Sequence, residues 1–279
     1  MADAPAAKMT VTGNLPLYKS PEAINLQAHA GKGLKWSDRP FEFLAETHFV
    51  PVTLGEFGVT SAQYPIIFLG DQKTPVAAMG LTAGQNLFVD PETGQFEPHG
   101  YLPGYVRRYP FVAASHAEDQ DKFTVCVDTG SYLYSDNPDE PFFNDKGEAS
   151  PFLDRAIDFV RRFEADVQQT RDFVARLEEL ELFDSQQATF QPRDAQGQPQ
   201  GDPQVIASYQ AVSGEKLKEV EPKVLAELRD NTYLGAIYSH MLSMNRWEAL
   251  ISRAAQRNNP GAAQQQPVAN MAPPPAPEA

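Results

Sequence analysis

Cysteine and long apolar runs are scarce in this sequence. Of its 279 residues only Cys126 is a cysteine, so no disulfide can form within the chain, which favours a reducing compartment. The most apolar short run, Ile66–Leu69, is far too short to cross a bilayer. The N-terminus has no cationic start followed by an apolar stretch. We therefore expect no secretory signal peptide, no membrane span and a cytoplasmic location.

Positive charge is also scarce. The chain has 23 Lys and Arg against 37 Asp and Glu, a formal net charge of −14, which argues against a general nucleic-acid binder or a binder of anionic membranes. Nine acids and only two bases lie between 118 and 148, directly after a stretch, 98–117, that has no acid. A surface that is basic beside acidic favours a protein or peptide partner over a polyanion. The sequence does not indicate which oligomeric state the protein has.

Motifs for catalysis and for metal binding are missing. The sequence has no Gly-x-Ser-x-Gly elbow, no Gly-rich phosphate loop and no EF-hand spacing. Histidines and acids are present that could in principle form a mononuclear metal site, but without metal-ligand spacing: His29, His48, His99, His116, Glu56 and Asp128. We predict no metal, no cofactor and no catalytic residue, and keep a metal-dependent, oxygenase-like enzyme acting on a peptide or small acid as an alternative.

The hydropathy pattern indicates an α+β fold. Short runs rich in β-branched and aromatic residues predict an irregular, curved sheet between 40 and 135, with a turn at 90–94 that joins strands at 86–89 and 95–96. The predicted strands of this part are 48–52, 64–69, 76–81 and 123–127.

Helices dominate from 150 to 257. Ser150 and Pro151 are typical of a helix start, and a wide apolar stripe predicts one long amphipathic helix to about Leu182. A β-hairpin should follow, pairing 188–190 with 205–209, and then helices over 214–220, from Pro222 onward, and over 232–256. We expect a loosely ordered lead-in at 1–20, a single domain at 21–257 and a disordered Pro/Ala/Gln tail at 258–279.

The most distinctive segment is 101–111, which reads YLPGYVRRYPF. Arginine forks hold carboxylates and phosphates at two points, and tyrosine rings can flank them. This composition predicts an anion or peptide-carboxylate site formed by Tyr101, Tyr105, Arg107, Arg108 and Tyr109. The alternative is a structural role, with one arginine paired to an acid and the tyrosines in the core. On a strand, side chains 107 and 108 would point to opposite faces, so one of them at most would line a site.

Several segments together resemble the SapC family, over about residues 14–256. The most specific of them is 101–111, and the others are HFVP at 48–51, YPIIF at 64–68, NLFVD at 86–90, FFNDKG at 142–147 and YLGAIYSH at 233–240. The resemblance adds matching positions to the candidate binding residues: Glu56, Asn86, Arg107, Arg108 and Asp128.

The resemblance implies a role and no reaction. The family takes its name from a bacterial surface-layer gene cluster, and members resemble accessory proteins found alongside TonB-dependent outer-membrane receptors. We therefore expect a non-catalytic accessory protein that recognises a peptide or protein partner. A structural component of the surface layer is a further alternative, although the chain lacks the Asp-rich Gly repeats of secreted proteins of this type.

Overall fold

The computed structural model describes residues 16–116, 119–190 and 201–258, with backbone only at 115, 116, 119–122, 204 and 258. Helices and antiparallel strands both occur, and the helices concentrate in the C-terminal half, so the predicted α+β class is confirmed. The predicted lead-in and tail lie mostly outside the described residues.

The β-strands form small sheets. Their bounds are β1 Pro21–Ala23, β2 Gly33–Leu34, β3 Phe49–Pro51, β4 Ile66–Leu69, β5 Thr74–Ala78, β6 Phe111–His116, β7 Asp119–Asp128, β8 Tyr134–Ser135, β9 Glu140–Pro141, β10 Phe183–Phe190 and β11 Gln204–Val212. Within the described ranges, one sheet has the order β1-β7-β6, a second β10-β11-β4-β5-β3, and a third β8-β2-β9. Strands β6 and β3 are therefore edge strands.

The helices pack against these sheets. Their bounds are α1 Leu26–His29, α2 Phe57–Ser61, α3 Gly104–Arg107, α4 Pro151–Glu179, α5 Gly214–Glu219, α6 Pro222–Asp230, α7 Tyr233–Ser243 and α8 Arg246–Asn258. Short 3-10 turns lie at Glu42–Leu44 and Leu54–Glu56. No described helix is long and apolar enough to cross a membrane.

Helix α4 begins where the sequence predicts. The Ser150 hydroxyl accepts a hydrogen bond from the Leu153 N–H, and Pro151 occupies the first turn, where its missing N–H costs nothing. The apolar stripe buries Leu153, Val160, Phe163, Phe173 and Leu177 against two hydrophobic clusters. Because α4 faces both clusters, it joins the sheet of β6 to the sheet of β3 and β5.

Two local predictions need correction in segment 101–111 and near the C-terminus. Residues 104–107 form helix α3 and not a strand, because Pro103 opens a turn in which the Arg107 N–H reaches back to the Pro103 carbonyl. The predicted helix 232–256 is two helices, α7 and α8. The Ser243 hydroxyl donates to the His240 carbonyl, and i→i+3 bonds tighten the chain at Met244, which ends α7.

The turn at 90–94 is confirmed, but its flanking strands are not. The Asp90 side chain accepts hydrogen bonds from the N–H groups of Glu92 and Thr93, and Gly94 has φ +65. Only one isolated bridge, Val89 to Phe96, connects the two sides. The predicted hairpin is confirmed and longer than expected, since β10 and β11 pair from Phe183 with Val212 onward.

Candidate functional site

Arg108 is a buried arginine that directly follows α3. It is 5% exposed, and its Nη1 donates to Oε1 of Glu164 on α4 at 2.9 Å. The rings of Tyr105 and Phe163 hold the guanidinium from two sides, each with its centroid 4.5 Å from Cζ. The buried Nε has no hydrogen-bond partner in the described ranges. Arg108 is therefore held in place by Glu164 and by the rings around it, with its Nε enclosed by the protein.

Arg108 lies at the wall of a cavity of about 710 Å³, which we call the α4 groove. One wall is α4, and the others are residues 51–53 at the end of β3, residues 74 and 75 of β5, and residues 112 and 113 of β6. The α4 wall includes Phe163, Glu164, Val167, Arg171, Val174 and Glu178. The groove lining is thus mixed, with apolar, hydroxyl and charged side chains along its length.

Charge differs between the two ends of the α4 groove. Arg108 and Glu164 lie at one end, with Arg171 close enough to act electrostatically on Glu164. Burial raises the pKa of Glu164, while Arg108 and Arg171 oppose that rise. The other end carries Asp71, and Glu178, which pairs with Lys73. An anion would therefore find favourable potential only at the Arg108 end.

The two arginines of the sequence motif point to different surroundings. Arg107 is outside the groove lining and its side chain is 45% exposed, lying over the rings of Tyr101 and Phe159. Its Nη2 is 3.5 Å from Oε1 of Glu56. Of the two arginines, only Arg108 lines the groove, and they lie on a helical turn and not on a strand.

Glu56 organises the backbone beside Arg107. Its Oε2 accepts from the N–H and hydroxyl of Thr53, and its Oε1 accepts from the Tyr101 hydroxyl and the Gly104 N–H, both at 2.6 Å. All four donors come from the protein itself. This carboxylate therefore fixes the start of α3, and through it the direction in which Arg108 points.

Tyr105 and Tyr109 are buried but only Tyr105 lines the groove. The Tyr105 hydroxyl donates to the Pro16 carbonyl, while Tyr109 stacks on Phe43 at 4.0 Å between centroids. Burial raises the pKa of both tyrosines to about 12. Tyr109 therefore belongs to the core beside the site and not to the groove.

Asp128 and Asn86 lie away from the groove and hold backbone segments. Asp128 accepts from the N–H groups of Ser20, Lys19 and Gly130 and so anchors the segment before β1. Asn86 donates to the Thr47 carbonyl and accepts from the Phe88 N–H. Neither residue is brought together with Arg108.

The sequence reasoning missed the α4 side of the groove. Glu164, Arg171 and Glu178 recur every seven residues along the border of the apolar stripe, so they share one helical face. The sequence signal for this wall was a row of charged residues, spaced by seven, beside the buried apolar stripe of the helix. It could not identify Arg108 as the partner of Glu164, since 56 positions separate them.

His240 and Cys126 are buried in separate parts of the structure. His240 donates through Nδ1 to the Ile66 carbonyl and accepts the Val212 N–H at Nε2, and burial lowers its pKa to about 4. Burial also raises the pKa of Cys126 to about 11. The side chain of His116 lies outside the described residues. Among those that are described, no three His, Cys, Asp or Glu side chains are grouped to hold a metal ion.

Comparison with known proteins places the chain in one family. No curated protein and no solved structure matches it. The family model for SapC matches residues 24–250, which is most of the chain and includes Arg108, the β6 edge and the whole of α4. The protein belongs to the SapC family.

Proposed function

We propose that this protein is a non-catalytic binding protein that recognises a peptide or protein partner in the α4 groove. The observation that carries the proposal is a cavity of about 710 Å³ whose wall has two arginines, Arg108 and Arg171, around the single carboxylate of Glu164 at one end. A ligand carboxylate at this end would meet the excess of positive charge and could accept charge-assisted hydrogen bonds.

The walls of the groove suit a polypeptide. Val167, Ala113 and Ala175 offer accessible apolar surface, while Thr74 and Gln72 add polar groups at the far end. Binding sites of this size are commonly apolar with a few polar groups that fix the orientation of the ligand. An apolar segment that carries one acid fits this lining better than a polyanion does.

For the cellular role, we propose an accessory function in a bacterial surface-layer system or in uptake through TonB-dependent receptors, performed in the cytoplasm. Membership of the SapC family supports this assignment. The acidic net charge of −14 also supports a protein partner over a nucleic acid.

A matched pair of variants tests the binding function. Ala175 is exposed and lines the groove, so Ala175→Trp would fill the groove without removing a core contact. Ala165 is exposed on the same helix but is not part of the lining, so Ala165→Trp is the control. We expect wild type and Ala165→Trp to retain the same protein from bacterial lysate, and Ala175→Trp to lose it.

The comparison requires folded protein, which circular dichroism and equal melting temperatures establish for all three chains. Equal recovery of partners by both tryptophan variants would contradict binding in the groove. Failure of the folded wild type to retain any reproducible partner would contradict the binding function itself.

A further inference from the structure

We propose that the occupant of the α4 groove is an extended peptide segment that adds as a strand to the free edge of β6 and places a carboxylate on Arg108. This inference rests on the proposed binding function and names the ligand and its mode of binding. It depends on three features: which backbone groups of β6 point away from β7, the length of the groove, and the distribution of charge along the groove.

The first feature is the direction of the backbone groups of β6. The Asp128 N–H donates to the Pro110 carbonyl, and Val112 is paired with Cys126. Because an antiparallel ladder alternates, Val112 bonds to β7 while Ala113 directs its N–H and C=O away from β7. On β7, the Val125 carbonyl points away from β6 in the same way, since it accepts the N–H of Ile24, the residue after β1.

The outward groups of β6 differ in whether they are occupied. The Phe111 carbonyl accepts the Tyr18 hydroxyl, and the Phe111 N–H donates to the Arg108 carbonyl. Ala113, the next outward residue, has no partner for its outward N–H and C=O among the described residues, and it lines the groove. An unpaired edge position facing a cavity is where an extended peptide can add main-chain hydrogen bonds.

The second feature is length. The α4 wall extends from Phe163 to Glu178, which is about 22 Å at 1.5 Å per residue. An extended chain rises about 3.3 Å per residue, so the groove accommodates about six or seven residues. Alternate side chains of such a segment would face Val167 and Val174, and the others would face solvent.

The third feature is charge, which gives the segment a direction. Arg108 and Arg171 surround the single carboxylate of Glu164 at one end, whereas Asp71 at the other end is exposed and has no ion pair within the described ranges. A carboxylate is attracted to the first end and repelled from the second. The carboxylate can be the C-terminus of a chain or an Asp or Glu side chain, and the test separates these two sources.

The test uses synthetic pools of acetylated heptapeptides, randomised among apolar residues, with retained peptides identified by mass spectrometry. One pool has a free C-terminus, the second is amidated, and the third is amidated with one internal Asp or Glu. We expect the purely amidated pool to be retained at least tenfold less than one or both of the carboxylate pools, because it lacks the charged acceptor. The better retained carboxylate pool identifies the source.

Variants of the protein test the strand and the arginine separately. Ala113→Pro removes only an outward N–H, which an edge strand tolerates, so it should fold and bind at least tenfold more weakly. Ala114→Pro is the directional control, because Ala114 pairs with Thr124 and its substitution should lower the melting temperature. Arg108→Lys should also reduce retention of the carboxylate pools at least tenfold, since lysine lacks the planar fork.

A measurement on the ligand side does not depend on the folding of any variant. N-methylation of each amide of a retained peptide in turn should weaken binding at the amide opposite Ala113 and spare the amides on either side of it, because a strand directs neighbouring amides to opposite sides. Retention that ignores amidation, or equal effects of N-methylation at all amides, overturns the inference while leaving peptide binding intact. If the wild type is a dimer and Ala175→Trp makes it monomeric, the groove binds a second copy of the chain, which also overturns the inference. If folded wild type retains no pool, the proposed function itself fails.

Discussion

Replacing Glu56 by glutamine should destabilise the fold although it changes only one atom of the side chain. Glu56 is 7% exposed, and its carboxylate accepts four hydrogen bonds, two at each oxygen. One of each pair comes from a backbone N–H, that of Thr53 or that of Gly104. A glutamine amide has one accepting oxygen and one NH₂ group that can only donate.

The magnitude follows from which donors can adapt. The hydroxyls of Thr53 and Tyr101 can turn to accept from the NH₂ group, but a backbone N–H cannot. In either orientation of the amide, one buried N–H is left unpaired, at about 1–3 kcal/mol, and the remaining bonds lose their charge assistance. We therefore expect Glu56→Gln to lower the free energy of unfolding by about 2–4 kcal/mol.

Urea denaturation measures this change as a shift of the midpoint at constant slope. The control is Glu46→Gln, an exposed glutamate without a hydrogen bond in the described ranges, which should stay within about 0.5 kcal/mol of wild type. Tyr101→Phe should also lower the free energy of unfolding less in the Glu56→Gln variant than in wild type, because the two side chains share a hydrogen bond. A loss below about 1 kcal/mol for Glu56→Gln would refute the argument that this carboxylate fixes α3.

Three further predictions concern buried titratable groups. Burial lowers the pKa of His240 to about 4, so the folded state disfavours protonation of this side chain. The free energy of unfolding should therefore drop by ~2 kcal/mol between pH 7 and pH 5, as measured by urea denaturation. A His240→Phe variant with the same dependence on pH would contradict this. Burial raises the pKa of Tyr105 and Tyr109 to about 12, whereas in the unfolded chain both ionise near pH 10. The free energy of unfolding should therefore fall as the pH rises from 10 to 12. Ultraviolet absorbance that shows these tyrosines ionised before the protein unfolds would refute this prediction. Asp128→Ala should cost about 2–4 kcal/mol by thermal denaturation and speed hydrogen exchange at the Ser20 amide, and unchanged exchange there would count against the anchoring role.

Much of the local structure could be predicted from neighbouring residues alone. Ser150 and Pro151 predicted the start of α4, and the 3.6-residue spacing of apolar positions predicted its buried face, because both depend on contacts within one helix. The hairpin of β10 and β11 was predicted from the same kind of local alternation. The turn at 90–94 required only Asp90 and Gly94.

The candidate site was predicted only in part. The sequence offered Arg107 and Arg108 as candidates and gave their directions only for the case of a strand, whereas they lie on and directly after helix α3. A strand would separate the two side chains by about 180°, and a helix separates them by about 100°. The Glu56 carboxylate, 48 positions before Gly104, holds the helical turn in place. No pattern within the segment 101–111 contains that information.

Composition and periodicity determined the fold class, the long helix and the residue types from which a site could be built. Tertiary structure alone decided that Arg107 faces Glu56 and solvent while Arg108 faces Glu164 and the groove. It also decided that the outward edge of β6 opens onto that groove at Ala113. The physical reason is that the partner of a buried charge, and the free side of a strand, depend on which distant segments pack together, and neither leaves a periodic trace along the chain.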